Sequence, residues 1–71
     1  MPKLYSSDEI IKVLKKFGFN FITQKGTHGK FKNPSNRTII IPTRKKEIPF
    51  GTFRSILKQA GITLQQFMEK L

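Results

Sequence analysis

Between Gly18 and Pro42 the chain carries three short runs rich in aromatic and β-branched residues, with turn-forming residues between them. Phe19 to Thr23, Gly29 to Asn33 and Thr38 to Ile41 read as strands. Lys25-Gly26 is expected to make the first turn, since a glycine there takes positive φ at no steric cost. Asn33-Pro34-Ser35-Asn36 marks the second. Connections this short leave no room for a crossover, so consecutive strands must pair antiparallel. A three-stranded meander is therefore the centre of the fold.

Helices flank it. Ser6 and Glu9 have the spacing of a capping box, and Ile10, Ile11, Leu14 and Phe17 follow at helical intervals until Gly18 stops them. After the strands, a helix is expected from about Thr52, with Phe53, Ile56, Leu57 and Ala60 on one face and Gly61 at its end. Thr63 and Gln66 form a second box, opening a short last helix with Leu64, Phe67, Met68 and Leu71 as its apolar stripe. The fold class is α+β: two layers in the order α-β-β-β-α, a three-stranded antiparallel sheet covered on one face, and a short extra C-terminal helix. This is the layering of double-stranded-RNA-binding domains, although architecture alone does not fix function. At 71 residues, positions 1–71 read as a single domain near the lower size limit for a core without staples. Phe19, Phe21, Phe31, Phe53 and Phe67 fall on apolar periods and are assigned to that core. Phe50, between Pro49 and Gly51, either packs under its loop or is exposed, and Tyr5 and Met68 carry no signal.

Charge narrows the function. Lysine and arginine total 14 against 4 acids, a formal net charge of +10. From Lys12 through Lys58 the only acid is Glu47, so the excess belongs to the body of the fold. A solubilising surface normally mixes signs, whereas this one implies a partner of dense negative charge, nucleic acid first. The lysines are spread through strands and do not line one amphipathic helix, which disfavours a membrane-surface role. No stretch approaches the roughly 18 apolar residues of a membrane span, and MPKLYSSDEI has no apolar signal region. With no cysteine, disulfides and thiolate metal sites are excluded and a reducing compartment fits. A soluble, cytoplasmic protein is expected.

The only histidine lies in QKGTHGKF, Gln24 to Phe31. If Phe31 points into the core, strand alternation places His28, Lys30 and Lys32 on the opposite, solvent face. A histidine has a reference pKa of about 6.5 and suits proton transfer near neutrality. Alone between two glycines, it can equally be one more polar surface residue.

QKGTHGKFKNP resembles the glycine-serine-histidine hairpin of the HicA-type mRNA interferase toxins, also called the YcfA-like family. IIIPTRKKEIPFGTFRSILKQAG resembles the second half of that family, and the likeness runs from SSDEIIKVLKKFGF through the final helix. The resemblance implies a toxin that cleaves RNA, folded like a double-stranded-RNA-binding domain and blocked by a HicB-type antitoxin. It maps the family's active histidine onto His28, with Gly26 before it. Thr27 replaces the usual serine but keeps the hydroxyl, and Asn33 stands where a histidine is common.

The chemistry agrees with that mapping. RNA carries its own nucleophile, the 2′-hydroxyl, so cleavage needs a proton acceptor, protonation of the leaving 5′-oxygen and cationic support for the phosphoryl oxygens. His28 is the candidate catalytic group, with Lys25, Gly26, Thr27, Lys30, Lys32 and Arg44 as the candidate RNA-binding set. No metal or other cofactor is expected, because Asp8 and Glu9 cap a helix while Glu47 and Glu69 lie in other parts of the chain. Messenger RNA and a HicB-type antitoxin are the expected partners, and the membrane is not one. Two other readings stay open at this level: a non-catalytic RNA-binding module that recognises shape and phosphates, and a basic protein-interaction module.

Overall fold

The computed structural model describes residues 3–71; Met1 and Pro2, at the start of the amino-terminal stretch read above, lie outside them. Helix α1 runs Ser7–Lys16. The Ser6 hydroxyl accepts from the Glu9 N–H at 3.1 Å, and a Glu9 carboxylate oxygen accepts from the Ser6 N–H at 2.9 Å. The capping box expected from sequence is thus complete. Asp8 and Glu9 in the first turn and Lys15 and Lys16 in the last match the helix dipole.

The strands are β1 (Asn20–Lys25), β2 (His28–Lys32) and β3 (Thr38–Pro42), antiparallel in the order β1-β2-β3. Phe31, Ile39 and Ile41 project to one face of the sheet and are buried against Ile10, Val13 and Leu14 of α1. The same core takes Phe53, Ile56, Leu57 and Ala60 from α2 (Phe50–Ala60). The last helix, α3 (Leu64–Glu69), opens on the Thr63/Gln66 box. Helix, meander, helix and short helix follow one another as the sequence predicts, and the opposite face of the sheet faces solvent.

Four local expectations need correction. The first turn is centred one residue later, on Gly26-Thr27, with Lys25 and His28 pairing across it. Helix α2 begins two residues before Thr52, because Pro49 is already extended (φ −54, ψ 145) and its carbonyl accepts from the Phe53 N–H at 2.9 Å. Phe50 is thereby drawn in, its ring 6.2 Å from that of Phe53.

Phe21 is not a core residue: it is 52% exposed. Strand β1 is the edge strand away from the two long helices, which pack over the other edge, β3, and Phe21 has an edge-to-face contact with Phe31 at 5.6 Å. At the other end of the chain, α3 buries only Phe67 of its expected stripe; Leu64, Met68 and Leu71 are about half exposed. Phe67 instead completes an aromatic cluster with Tyr5 and Phe53, centroids 5.3 and 4.8 Å away. Tyr5 is buried and its hydroxyl donates to the Met68 sulfur at 3.1 Å. Both residues without a sequence signal therefore help hold α3 in place. No helix among the described residues is long and apolar enough to cross a membrane.

Candidate active site

The solvent face of the sheet is set by register. His28 stands opposite Lys25 on β1 and Pro42 on β3, and in the next row Lys30 stands opposite Thr23 and Ile40. Simple alternation along β1 would have put Thr23 and Lys25 on the same side as Phe21. A β-bulge at Ile22, where the register shifts between Phe21 and Thr23, turns them over onto the histidine's face, a known use of bulges beside functional sites. Thr23, Lys25, His28, Lys30 and Ile40 line a shallow depression of about 300 Å³. None of them is acidic, so the charge there is uncompensated.

His28 owes its position to the tight hairpin. Gly26 has φ +57 while Thr27 does not have positive φ, the pattern of a two-residue turn with glycine at its first central position. The Thr27 hydroxyl lies 3.3 Å from His28 Nδ1, and Nε2 has no hydrogen-bond partner among the described residues. When Nδ1 carries the proton and donates to Thr27, the lone pair is on Nε2, the state a general base needs.

The hairpin tip is tied to the end of β3 by a chain of polar contacts. The Gln24 amide donates to the Gly26 carbonyl at 2.9 Å and to the Thr43 hydroxyl at 2.8 Å. The Thr43 hydroxyl donates to the Thr27 carbonyl at 3.2 Å, and the Thr43 N–H reaches the same carbonyl at 2.8 Å. Gly29 makes room for this: a Cβ there would stand 3.1 to 3.2 Å from the Phe31 ring, the Gln24 amide oxygen and the Thr43 methyl group.

Ser7, at the start of α1, clamps the next residues. Its buried hydroxyl donates to the Pro42 carbonyl at 2.7 Å and accepts from the Lys45 N–H at 3.0 Å. Its own N–H donates to the Lys45 carbonyl at 2.9 Å. Between these anchors Arg44 is held at φ +61, a left-handed conformation that costs a non-glycine residue about 1–2 kcal/mol.

The predicted residues do not all converge. Lys25, Gly26, Thr27 and Lys30 surround His28, and Arg44 follows two residues after the proline opposite it. Lys32 lies at the far end of β2, about 13 Å from His28 at 3.3 Å per residue. Asn33 is farther still and closes the β2–β3 turn, accepting from the Arg37 N–H at 2.8 Å.

Gln24, Thr43 and Ser7 were not singled out from sequence. Only the pairing of Gln24 with Gly29 across the hairpin makes the first legible, and that needs the turn to be placed on Gly26-Thr27. A larger groove of about 700 Å³ lies between α2 and α3, with Phe50, Leu57 and Leu64 beside Arg54 and Lys58. It contains no histidine or carboxylate, whereas the smaller depression holds His28. Among the described residues, no three histidine, aspartate or glutamate side chains gather in one place.

Comparison with known proteins bears on what this face is for. No curated protein matches the chain. The model of one family, described as HicA toxin of bacterial toxin-antitoxin, matches residues 7–62, from the first residue of α1 to just beyond α2. Covering most of the chain, including the whole sheet and the hairpin that carries His28, this match shows that the protein belongs to the HicA toxin family of bacterial toxin–antitoxin systems, whose members are generally RNases.

Proposed function

We propose that this chain is a metal-independent endoribonuclease that cuts messenger RNA with His28 and is silenced by a HicB-type antitoxin. The observation that carries the reading is the surroundings of His28: exposed, oriented through Nδ1 by Thr27, and flanked across and along the sheet by Lys25 and Lys30 with no acid on that face. His28 Nε2 takes the proton of the 2′-hydroxyl as that oxygen attacks the adjacent phosphorus. The bond to the 5′-oxygen breaks, leaving a 2′,3′-cyclic phosphate and a 5′-hydroxyl whose proton comes from water or the returning imidazolium. Lys25 and Lys30 support the charge that gathers on the non-bridging oxygens. One histidine serving both steps makes for a modest catalyst. An acidic antitoxin surface laid on this face would exclude RNA and match its charge, and the cytoplasm is where message and antitoxin would meet it.

The test is cleavage of an end-labelled RNA in EDTA by wild type and His28→Ala, beside the same sequence as DNA. Wild type should cut RNA alone, and His28→Ala should be slower by about 10²- to 10⁴-fold with its fold intact. Binding by both proteins and cutting by neither would leave an RNA-binding module. Loss of activity in EDTA would refute the metal-free route.

A further inference from the structure

Resting on the ribonuclease reading, a second property follows from the same depression. We infer that it seats one unstacked nucleobase on Ile40, with Thr23 at its rim, and so delivers that nucleotide's ribose to His28. Thr23, Lys30 and Ile40 form one row across the three strands, and Lys25, His28 and Pro42 form the next. Directly opposed side chains in such rows have Cβ atoms about 4.5–5.5 Å apart. An isoleucine 40% exposed therefore lies among lysines, one row from the only histidine. It offers a phosphate nothing, since a charged group pressed onto it sheds water without gaining a donor. A base has a flat apolar face to cover and polar edges to satisfy, and Ile40, the Thr23 hydroxyl and the Lys30 ammonium are of the right kinds. The volume of about 300 Å³ is at the small end of ligand pockets, enough for one nucleoside and not for a stacked pair.

The reaction needs the same geometry. In-line attack by a 2′-hydroxyl puts it opposite the leaving 5′-oxygen, which a nucleotide held in an A-form stack does not allow. A base lifted onto Ile40 is out of the stack. Its phosphate then falls toward Lys25 and His28, so that base recognition and alignment come from one seat. Thr23 is the residue placed to discriminate between bases, because its hydroxyl both donates and accepts.

The experiment uses 12-nucleotide DNA strands with a single ribonucleotide, so that 2′-hydroxyl chemistry has one position. One strand carries the base at that position and its twin is abasic; both are given to wild type and to Ile40→Ala, with an all-RNA strand as control. Wild type should lose about fivefold to tenfold in kcat/KM on the abasic strand, the cost of uncovering one such contact. Ile40→Ala should lose a similar factor on the intact strand and little more on the abasic one. Equal cleavage of both strands by wild type, or losses that multiply, would overturn the seat. Binding of the two strands to wild type is measured in parallel. If nothing is cut, even all-RNA, the ribonuclease reading falls; a fivefold binding preference for the intact strand then still supports the seat, and equal binding overturns it. The same binding comparison decides the seat if all-RNA is cut and the chimeric strands are not.

Discussion

Replacing Gln24 by leucine tests whether the contacts behind the hairpin act on His28 or only on stability. The change removes two hydrogen bonds, to the Gly26 carbonyl at 2.9 Å and the Thr43 hydroxyl at 2.8 Å. Neutral hydrogen bonds contribute about 0.5–1.5 kcal/mol each, and these are exposed, so the total loss should be about 1–1.5 kcal/mol. In a domain this small that lowers Tm by roughly 4–12 °C. The backbone bond from Thr43 N–H to the Thr27 carbonyl survives, so the hairpin stays formed but its tip is freed. A displacement of about 1 Å at a reacting group can cost as much as 10²-fold. Cleavage of a labelled RNA, measured well below the new Tm, should therefore fall at least tenfold in kcat with KM changed less than about threefold. Thr43→Val should behave alike, and the double variant should be little worse than either, because the contacts form one chain. A Gln24→Leu protein that loses stability but cuts at the wild-type rate would show the contacts to be structural only, and multiplicative losses in the double variant would break the chain apart.

Three further outcomes follow. Phe31→Ala should cost about 3–5 kcal/mol by urea denaturation, and Phe21→Ala under about 1.5 kcal/mol, since only Phe31 is buried; equal losses would contradict the edge position of β1. Arg44→Gly removes a left-handed arginine and should leave stability unchanged or raise it by up to about 1 kcal/mol. It should also weaken single-stranded RNA binding and reduce the salt slope of log K by about 0.7, and an unchanged slope would take Arg44 out of the RNA contact. Glu9 is held below its ordinary pKa of 4.5, first by the Ser6 backbone N–H and more weakly by the Ser6 hydroxyl and Lys3. Its contribution is therefore present above about pH 4.5 and lost as pH falls through the depressed value. Glu9→Gln should flatten urea midpoints between about pH 5 and 3; an unchanged pH dependence would show that the box carries no charge-dependent stability.

The element order was legible because each boundary is a local chemical event. Ser6 with Glu9, Thr63 with Gln66, Gly18, Gly61 and Asn33-Pro34 each act within four residues, which is the range over which sequence spacing speaks. The candidate histidine was legible because it is unique, and its face because Phe31 fixes the alternation of β2. What sequence did not supply depends on longer-range placement. The bulge at Ile22 has no local marker, yet it decides that Phe21 lies on the face of Phe31 while Thr23 and Lys25 lie on that of His28. Phe21 has the same residue type and period as a core position, and only the lateral placement of the helices over β3 leaves it exposed. Ser7 carries no signal beside the Ser6 cap, and its hydroxyl makes both its bonds to Pro42 and Lys45, more than thirty residues away.

These pieces bear on how a chain with a formal charge of +10 can be both stable and controllable. Its apolar contacts are confined to one side of a three-stranded sheet, so the other side contributes little to folding and is free to hold like charges close together. Such charges repel, and whatever neutralises them stabilises the folded state by mass action. RNA and an acidic antitoxin would both do so, and on this reading both draw on the same residues, Lys25, Lys30 and the rim of the His28 depression. Their competition then needs no conformational change in the toxin. Because Gln24, Thr43 and Ser7 fix the hairpin and the Arg44 loop from behind, the face is formed without a partner, and on the proposed function inhibition would reduce to which of two anions covers it.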